Sequence, residues 1–324
     1  MKTVLLTGAA GFIASKTAEI LVKKKKYRVV GVDNLNDYYD TRLKRYRLRQ
    51  LKPLDGFSFH KMDIEDRHAL RRLFKKHSFE AVINLAARAG VRYSMVNPYV
   101  YFTTNTQGTL NLLELCKDHG VKKFVLASTS SLYAGQKMPF KEDLPVNTPI
   151  SAYAASKKAA ETLCYTYHYL YNMDVTVVRY FTVYGPAGRP DMCLFRFINW
   201  IDAGRPIELF GDGRQSRDFT YVDDIAEGTV KALKRVKFRV INLGGGHNPY
   251  TLRYLIELVE KNLGKKARFK RFAFPKTDMK ATWADIRRAQ EVLKWRPRVS
   301  LEEGVRRTVQ WYLDNKKWVG AIQL

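Results

Sequence analysis

The stretch that most constrains this chain opens with Thr3-Val4-Leu5-Leu6, four residues that read as a buried strand. Gly8-Ala9-Ala10-Gly11-Phe12-Ile13-Ala14 follows and leads into an amphipathic helix to about Lys25. A G-x-x-G-x-x-A run between a strand and a helix has a physical reading. Gly8 permits a tight turn, Gly11 lets the backbone approach a pyrophosphate, and Ala14 lets helix and strand pack closely. Phe12 and Ile13 begin the helix, whose N-terminal amides are donors to phosphates. The next strand, YRVVGVD, ends in Asp33, placed to bind both hydroxyls of an adenosine ribose. That acid favours NAD over NADP, because a 2′-phosphate would meet its charge. Arg42, Lys44 and Arg45 nearby soften the preference.

The following segments keep the alternation of strand and helix and predict an α/β fold with a parallel sheet. FSFHKMD delivers Asp63 and Ile64, suited to gripping an adenine edge. AVINLAA delivers Asn84, Leu85, Ala86 and Ala87, small residues past which a dinucleotide can lie. Small and polar residues at the carboxyl ends of successive strands mark the ligand side of a parallel sheet. The loop RAGVRYS carries Arg88 and Arg92, which read equally as surface residues or as partners of a negatively charged sugar or phosphate. A helix is expected from Pro98 to about His119.

The strand KKFVLAS leads to three successive hydroxyls, Thr129, Ser130 and Ser131. The helix-like run SAYAASKKAAETLCYTYHYL then carries Tyr153 and Lys157. Four residues make about one helical turn, so phenol and ammonium share a face. An ammonium beside a phenol favours the phenolate and makes Tyr153 a usable proton acceptor. Such pairs also arise by chance on helix surfaces; the dinucleotide signals upstream give this one a context.

From about residue 182 the loops lengthen and the strands shorten. Residues 1–181 read as a dinucleotide-binding domain and 182–324 as mainly a smaller substrate lobe. Residues 222–243, a helix over 223–235 and a strand over 238–243, are expected to return to the first. In the second lobe Phe210 is placed for a base to stack on it, while Arg214, Arg217 and Asp278 are candidates for gripping phosphates or ribose.

The chain has 324 residues, 46% of them hydrophobic, enough for a large core. No apolar run reaches the roughly 18 residues of a membrane span. The chain enters its first strand at once, so no signal peptide is expected, and the three scattered cysteines fit a reducing cytoplasm. Neither a disulfide nor a metal site is expected. Lys and Arg number 57 against 31 Asp and Glu, a net charge of +26. The runs KKKKYR, RLKRYRLRQLK and RRLFKK read first as solvated helix faces. They also leave open attraction to nucleotide substrates, nucleic acid or, weakly, an anionic membrane surface.

TGAAGFIA, Asp33, Asp63-Ile64, NLAA, STSSLY, YAASK and DFTYVDDIAEG together resemble the extended short-chain dehydrogenase/reductases, and within them the nucleotide-sugar epimerases. DNLNDYYD, AGVRYS, RYFTVYGP and GRPDM look like UDP-glucuronate 4-epimerases. The resemblance implies a Rossmann-type doubly wound sheet with a C-terminal substrate lobe and a tightly held NAD, contacted also by Asn34, Asn36 and Lys44. Tyr153 would take the proton of the sugar 4-hydroxyl while hydride leaves carbon 4. Lys157 would depress the Tyr pKa and hold the nicotinamide ribose, and Thr129 would hydrogen-bond the reacting oxygen. The 4-keto sugar would then turn over and take the hydride back. Arg88, Thr182, Arg189 and the hydroxyls of Ser130 and Ser131 fall in the implied sugar pocket.

A uronic acid oxidised at carbon 4 is a β-keto acid and loses carbon dioxide unless its carboxylate is pinned. Thr129, Ser130, Ser131 and Arg189 are suitable groups. Related decarboxylases place Glu at the position of Ser131, and related 4,6-dehydratases place Asp-Glu at 130–131; neither acid is present here. Ala134 and Ala187 depart from the usual Gly and the often aromatic residue of the family. The resemblance therefore implies conversion of UDP-glucuronate to UDP-galacturonate. A 4-epimerase of UDP-glucose or UDP-N-acetylglucosamine is the nearest alternative, and a non-catalytic NAD-sensing or nucleic-acid-binding relative is a remote one. The family also implies a homodimer through helices 98–119 and 152–171, with Leu163, Tyr167, Leu170 and Tyr171 as candidate contacts.

Overall fold

The computed structural model describes residues 1–275 and 278–322. The first strand β1 (Lys2–Thr7) and helix α1 (Phe12–Lys23) are joined by the glycine loop. There follow β2 (Tyr27–Asp33), α2 (Thr41–Leu51), β3 (Phe57–Lys61), α3 (Arg67–Lys76), β4 (Ala81–Asn84), β5 (Lys123–Thr129) and β6 (Asp174–Tyr180). With the strand Phe238–Leu243 they form one seven-stranded parallel sheet. Its order is β3-β2-β1-β4-β5-β6 and then Phe238–Leu243. The order reverses at β1 and β4, and the dinucleotide crevice of a doubly wound sheet lies outside the carboxyl ends at that point.

Strands covered on both faces read as continuous apolar runs. Val4 and Leu6 enter one cluster with α1, while Leu5 faces the other with α3 and the helix Gly108–Asp118. Residues 222–243 contribute to this sheet and to the layer on its α1 face. The strand Phe238–Leu243 pairs with β6, Ile241 opposite Val178, and the helix Val222–Lys231 packs on α1. A further segment also contributes: Ala284, Ile286, Ala289, Leu293 and Trp295 join the α1-side cluster. A separate cluster gathers Leu194, Phe197, Ile198, Leu209, Leu255 and Val305, with Leu43 of α2 reaching into it.

The helix expected over 98–119 is built in three parts: Tyr99–Tyr101, a wide π-helical stretch Phe102–Gln107, and Gly108–Asp118. Side chains of the wide stretch bond outward. Asn105 accepts from the Arg88 amide at 2.8 Å and donates to the Arg88 carbonyl at 3.0 Å and to Ser156 Oγ at 2.9 Å. Thr104 donates to Glu65. A single wide turn inside a helix is a common device beside a functional site. Here it anchors the loop that follows β4.

Candidate active site

A cavity of about 710 Å³ opens above the carboxyl ends of the strands, between the sheet and the second cluster. Every sequence-predicted site residue except Asn84 and Arg214 lines it; Asn84 is turned into the sheet, accepting from Thr7 Oγ1 at 2.6 Å and donating to Thr109 Oγ1 at 3.0 Å. Arg214 points away: its side chain is 81% exposed and lies 3.4 Å from Asp212. Asp212 accepts the Arg214 amide at 2.9 Å and Gly213 takes φ +82°, a tight turn that aims the guanidinium outward.

At the β1–α1 turn, Gly8 has φ +69°, and a Cβ there would sit 2.8 Å from the Ala86 amide nitrogen. A Cβ on Gly11 would sit 2.8 Å from the Gly8 carbonyl oxygen. Gly11 is the N-cap of α1 and offers no side chain to its amides. The first amides of the helix have no intrahelical acceptor, and Phe12, Ile13 and Ala14 lie on the cavity wall. Asp33 is 8% exposed and accepts the Ala10 amide at 3.2 Å and the Leu35 amide at 2.8 Å. Lys44 Nζ stands 3.9 Å from Asp33 and donates to the Asn36 carbonyl at 2.8 Å. Asn34 donates to Asp63 at 2.7 Å and accepts from Asn36 Nδ2 at 2.7 Å, tying two strand ends together. A close backbone approach, free amides at a helix start and an acid at the next strand fit the diphosphate and ribose of a dinucleotide.

At the far end, Thr129 closes β5 and caps the short turn Ser130–Tyr133 by accepting the Ser131 amide at 3.1 Å. The helix Ala152–Tyr171 starts at Ser151, whose hydroxyl accepts the Ala154 amide at 3.2 Å. This cap sets Tyr153 in the first turn and Lys157 in the second. Burial raises the Tyr153 phenol above its ordinary pKa, while the Thr129 hydroxyl and the Arg189 charge pull it down. The expected pull of Lys157 on that phenol is not seen here. Its ammonium donates to the Ala127 carbonyl at 2.8 Å, and burial lowers its own pKa to about 8.

Arg189 is not free either. Its Nε and Nη2 meet Asp191 at 3.0 and 2.5 Å, and Nη2 also donates to the Ala89 carbonyl at 3.2 Å. Its guanidinium lies 5.7 Å from the Tyr38 ring centroid. Towards the outer end, Arg92 stacks on Phe210 at 4.0 Å and pairs with Asp278 at 2.9 Å. Arg217 donates to the Ser216 carbonyl at 2.8 Å. Tyr38 and Asp191 also line the cavity; they lay inside the segments DNLNDYYD and GRPDM without being singled out.

Arg47 gave no signal in the sequence, because it sits inside a basic run. It is 3% exposed and donates to the Ala187 carbonyl at 2.6 Å, the Ala10 carbonyl at 3.1 Å and Tyr39 Oη at 2.7 Å. It thereby ties the glycine loop to the segment that carries Arg189. Ala187 takes φ +53°, which turns its carbonyl into that contact.

The sequence model of the NAD dependent epimerase/dehydratase family matches residues 4–244. A UDP-glucuronate 4-epimerase of Thermodesulfobacterium geofontis is 57% identical over 320 residues, covering 99% of each chain. The crystal structure of a UDP-glucuronic acid 4-epimerase from Bacillus cereus, in complex with UDP-glucuronic acid and NAD, superposes with a TM-score of 0.91. It is 37% identical and the match covers 97% of this chain and 99% of that one. A UDP-glucose 4-epimerase from Thermotoga maritima, with UDP-glucose, is 31% identical with a TM-score of 0.87, over 97% of this chain and 99% of that one. With its glycine loop, Asp33 and the Thr129–Tyr153–Lys157 group in one cavity, this chain belongs to the NAD dependent epimerase/dehydratase family.

Proposed function

We propose that the protein interconverts UDP-glucuronate and UDP-galacturonate by 4-epimerisation with NAD. The observation that carries this reading is Thr129, Ser130 and Ser131 with Tyr153 in one cavity, with hydroxyls and no acid at 129–131. NAD, when bound, supplies the hydride-accepting ring and a positive charge beside the phenol. Gly8, Gly11 and the amides of Phe12 and Ile13 hold its diphosphate, Asp33 its adenosine ribose, and Asp63 and Ile64 its adenine edge. Leu85, Ala86 and Ala87 leave room for it along the strand ends.

Tyr153 accepts the proton of the sugar 4-hydroxyl, and Thr129 holds that oxygen. Lys157 carries its positive charge one helical turn from Tyr153 and reaches the nicotinamide ribose. The 4-keto sugar turns over and receives the hydride on its other face, while Tyr153 returns the proton. The uronate carboxylate is held by Ser130, Ser131, Thr182 and Arg189, so that its bond to carbon 5 does not align with the new carbonyl. Because Asp191 already neutralises Arg189, the hydroxyls do most of the holding, and Arg189 orients. Arg88, Arg217, Phe210 and Asp278 form the nucleotide end.

Incubation of the purified protein with UDP-glucuronate, followed by chromatographic separation, tests the reading. It predicts UDP-galacturonate without pentose product. Failure to form galacturonate at long times, with UDP-glucose converted instead, contradicts it.

We infer also that the protein acts as a homodimer. Tyr99 is 81% and Leu170 58% exposed, an unusual display of large apolar side chains on two helices. Tyr167 belongs to the chain's own packing, since it is buried and donates to Glu114. Among the described residues no helix is long and apolar enough to cross a membrane.

A further inference from the structure

The helix face that carries Tyr153 and Lys157 continues one turn further to Glu161, a residue the reaction above leaves without a task. Glu161 is 5% exposed and accepts from Ser128 Oγ at 2.5 Å and from Arg179 Nε and Nη2 at 2.9 and 2.7 Å. Helix and strand end are joined by successive contacts. Lys157 donates to the Ala127 carbonyl, Ser128 donates to Glu161, and the Thr129 hydroxyl acts on Tyr153. Three consecutive strand residues are therefore met by three helix residues spaced one turn apart. Arg179 lies opposite Ser128 in the β5–β6 register and donates also to Tyr133 Oη at 2.8 Å. Tyr133 in turn donates to Asn242 at 2.8 Å.

One buried carboxylate thus serves two buried cations, Arg179 by direct bonds and Lys157 through space. We propose that Glu161 is a positioning residue for the Tyr153–Lys157 pair: it keeps Lys157 charged in its buried place and fixes the strand end that carries Thr129. The proposal rests on the roles given to those three residues above.

An uncompensated buried ammonium gives up its proton rather than stay charged. Burial lowers Lys157 to about 8, and Glu161 is the main opposing influence. The other groups around the network do not replace it. On the same helix Cys164 and Tyr153 are held in their neutral forms by burial. Tyr133, from the turn after β5, is likewise raised, to about 12. Tyr101 packs on Tyr153 from the neighbouring helix, and Arg189 faces it across the cavity. Glu142 acts on Tyr133 but sits 3.8 Å from Arg288.

The signs follow. Removing the Glu161 carboxylate lowers the Lys157 pKa further, so the ammonium is lost at a lower pH. Removing Arg179 takes away a like charge and leaves Glu161 to Lys157 and the neutral Ser128 hydroxyl, so the ammonium persists to a higher pH. A purely structural role moves the two variants alike, or moves neither.

The test is a titration of Lys157 in the full-length protein by NMR of [13Cε]lysine, with the signal assigned by its loss in Lys157→Arg. Glu161→Gln is expected to move the midpoint down by about one pH unit or more, and Arg179→Gln to move it up. Glu161→Asp keeps the charge and is expected to hold the midpoint near that of the unmodified protein. The alkaline limb of epimerase activity moves with the midpoint in each variant. An unmoved midpoint in Glu161→Gln, or a downward one in Arg179→Gln, overturns the proposal. Should Glu161→Gln not fold, Arg179→Gln alone decides: upward supports, unmoved or downward overturns. Because the Lys157 titration needs no turnover, it still reads this proposal if the protein does not epimerise UDP-glucuronate.

Discussion

Tyr153 sits in an environment that resists ionisation, with burial raising its pKa and Thr129 and Arg189 opposing. On the mechanism proposed here, a phenol so placed needs a further positive charge beside it, and a bound dinucleotide would supply one. Tyr153→Phe keeps the ring and its packing on Tyr101 and removes only the acid–base group. We expect turnover to fall by about 10²–10⁴-fold, with NAD still co-purifying when the protein is denatured and the released nucleotide quantified. Residual activity above a tenth removes the phenol from the mechanism. That this residue, Lys157 and Thr129 would share one cavity was legible in the sequence because their signals are local: a four-residue spacing and a strand end. Arginines were not. Arg47 and Arg214 look alike in a sequence so rich in basic residues, yet one is buried against three carbonyls and the other points into solvent. Which way a long side chain turns is decided by neighbours far away in the chain.

The strands and helices of the sheet were readable from their apolar runs. The π-helical stretch was not, because hydrogen bonds from Asn105 and Thr104 to distant segments, rather than the periodicity of the helix itself, accompany it. Nor was the return of 284–295, whose apolar residues are too widely spaced to declare which core they join. The helices Tyr99–Tyr101 and Ala152–Tyr171 carry the homodimer inference at this scale. Exposed apolar faces of this kind mark protein–protein contact, and replacing Tyr99 and Leu170 together by Glu is expected to halve the mass measured by light scattering. A protein that is monomeric before the substitution contradicts the inference.

At the scale of the molecule, the sheet supplies the dinucleotide side of the cavity and the second cluster supplies the other side, with α2 belonging to both. Leu43 packs into the second cluster while Arg47, one turn on, binds the glycine loop and the 187–188 carbonyls. The net charge of +26 suits anionic nucleotide substrates but selects none among them. On the reading proposed above, selection falls to a few positions: hydroxyls at 129–131 and Arg189, which is paired with Asp191. The central claim is that carbon 4 loses its hydrogen as hydride and takes the same hydrogen back within the cavity. It is tested by supplying UDP-glucuronate deuterated at carbon 4 in ordinary water and reading the product by mass spectrometry. The account predicts UDP-galacturonate with the deuterium retained at carbon 4 and no carbon dioxide released; deuterium lost to solvent, or a decarboxylated pentose product, would contradict it.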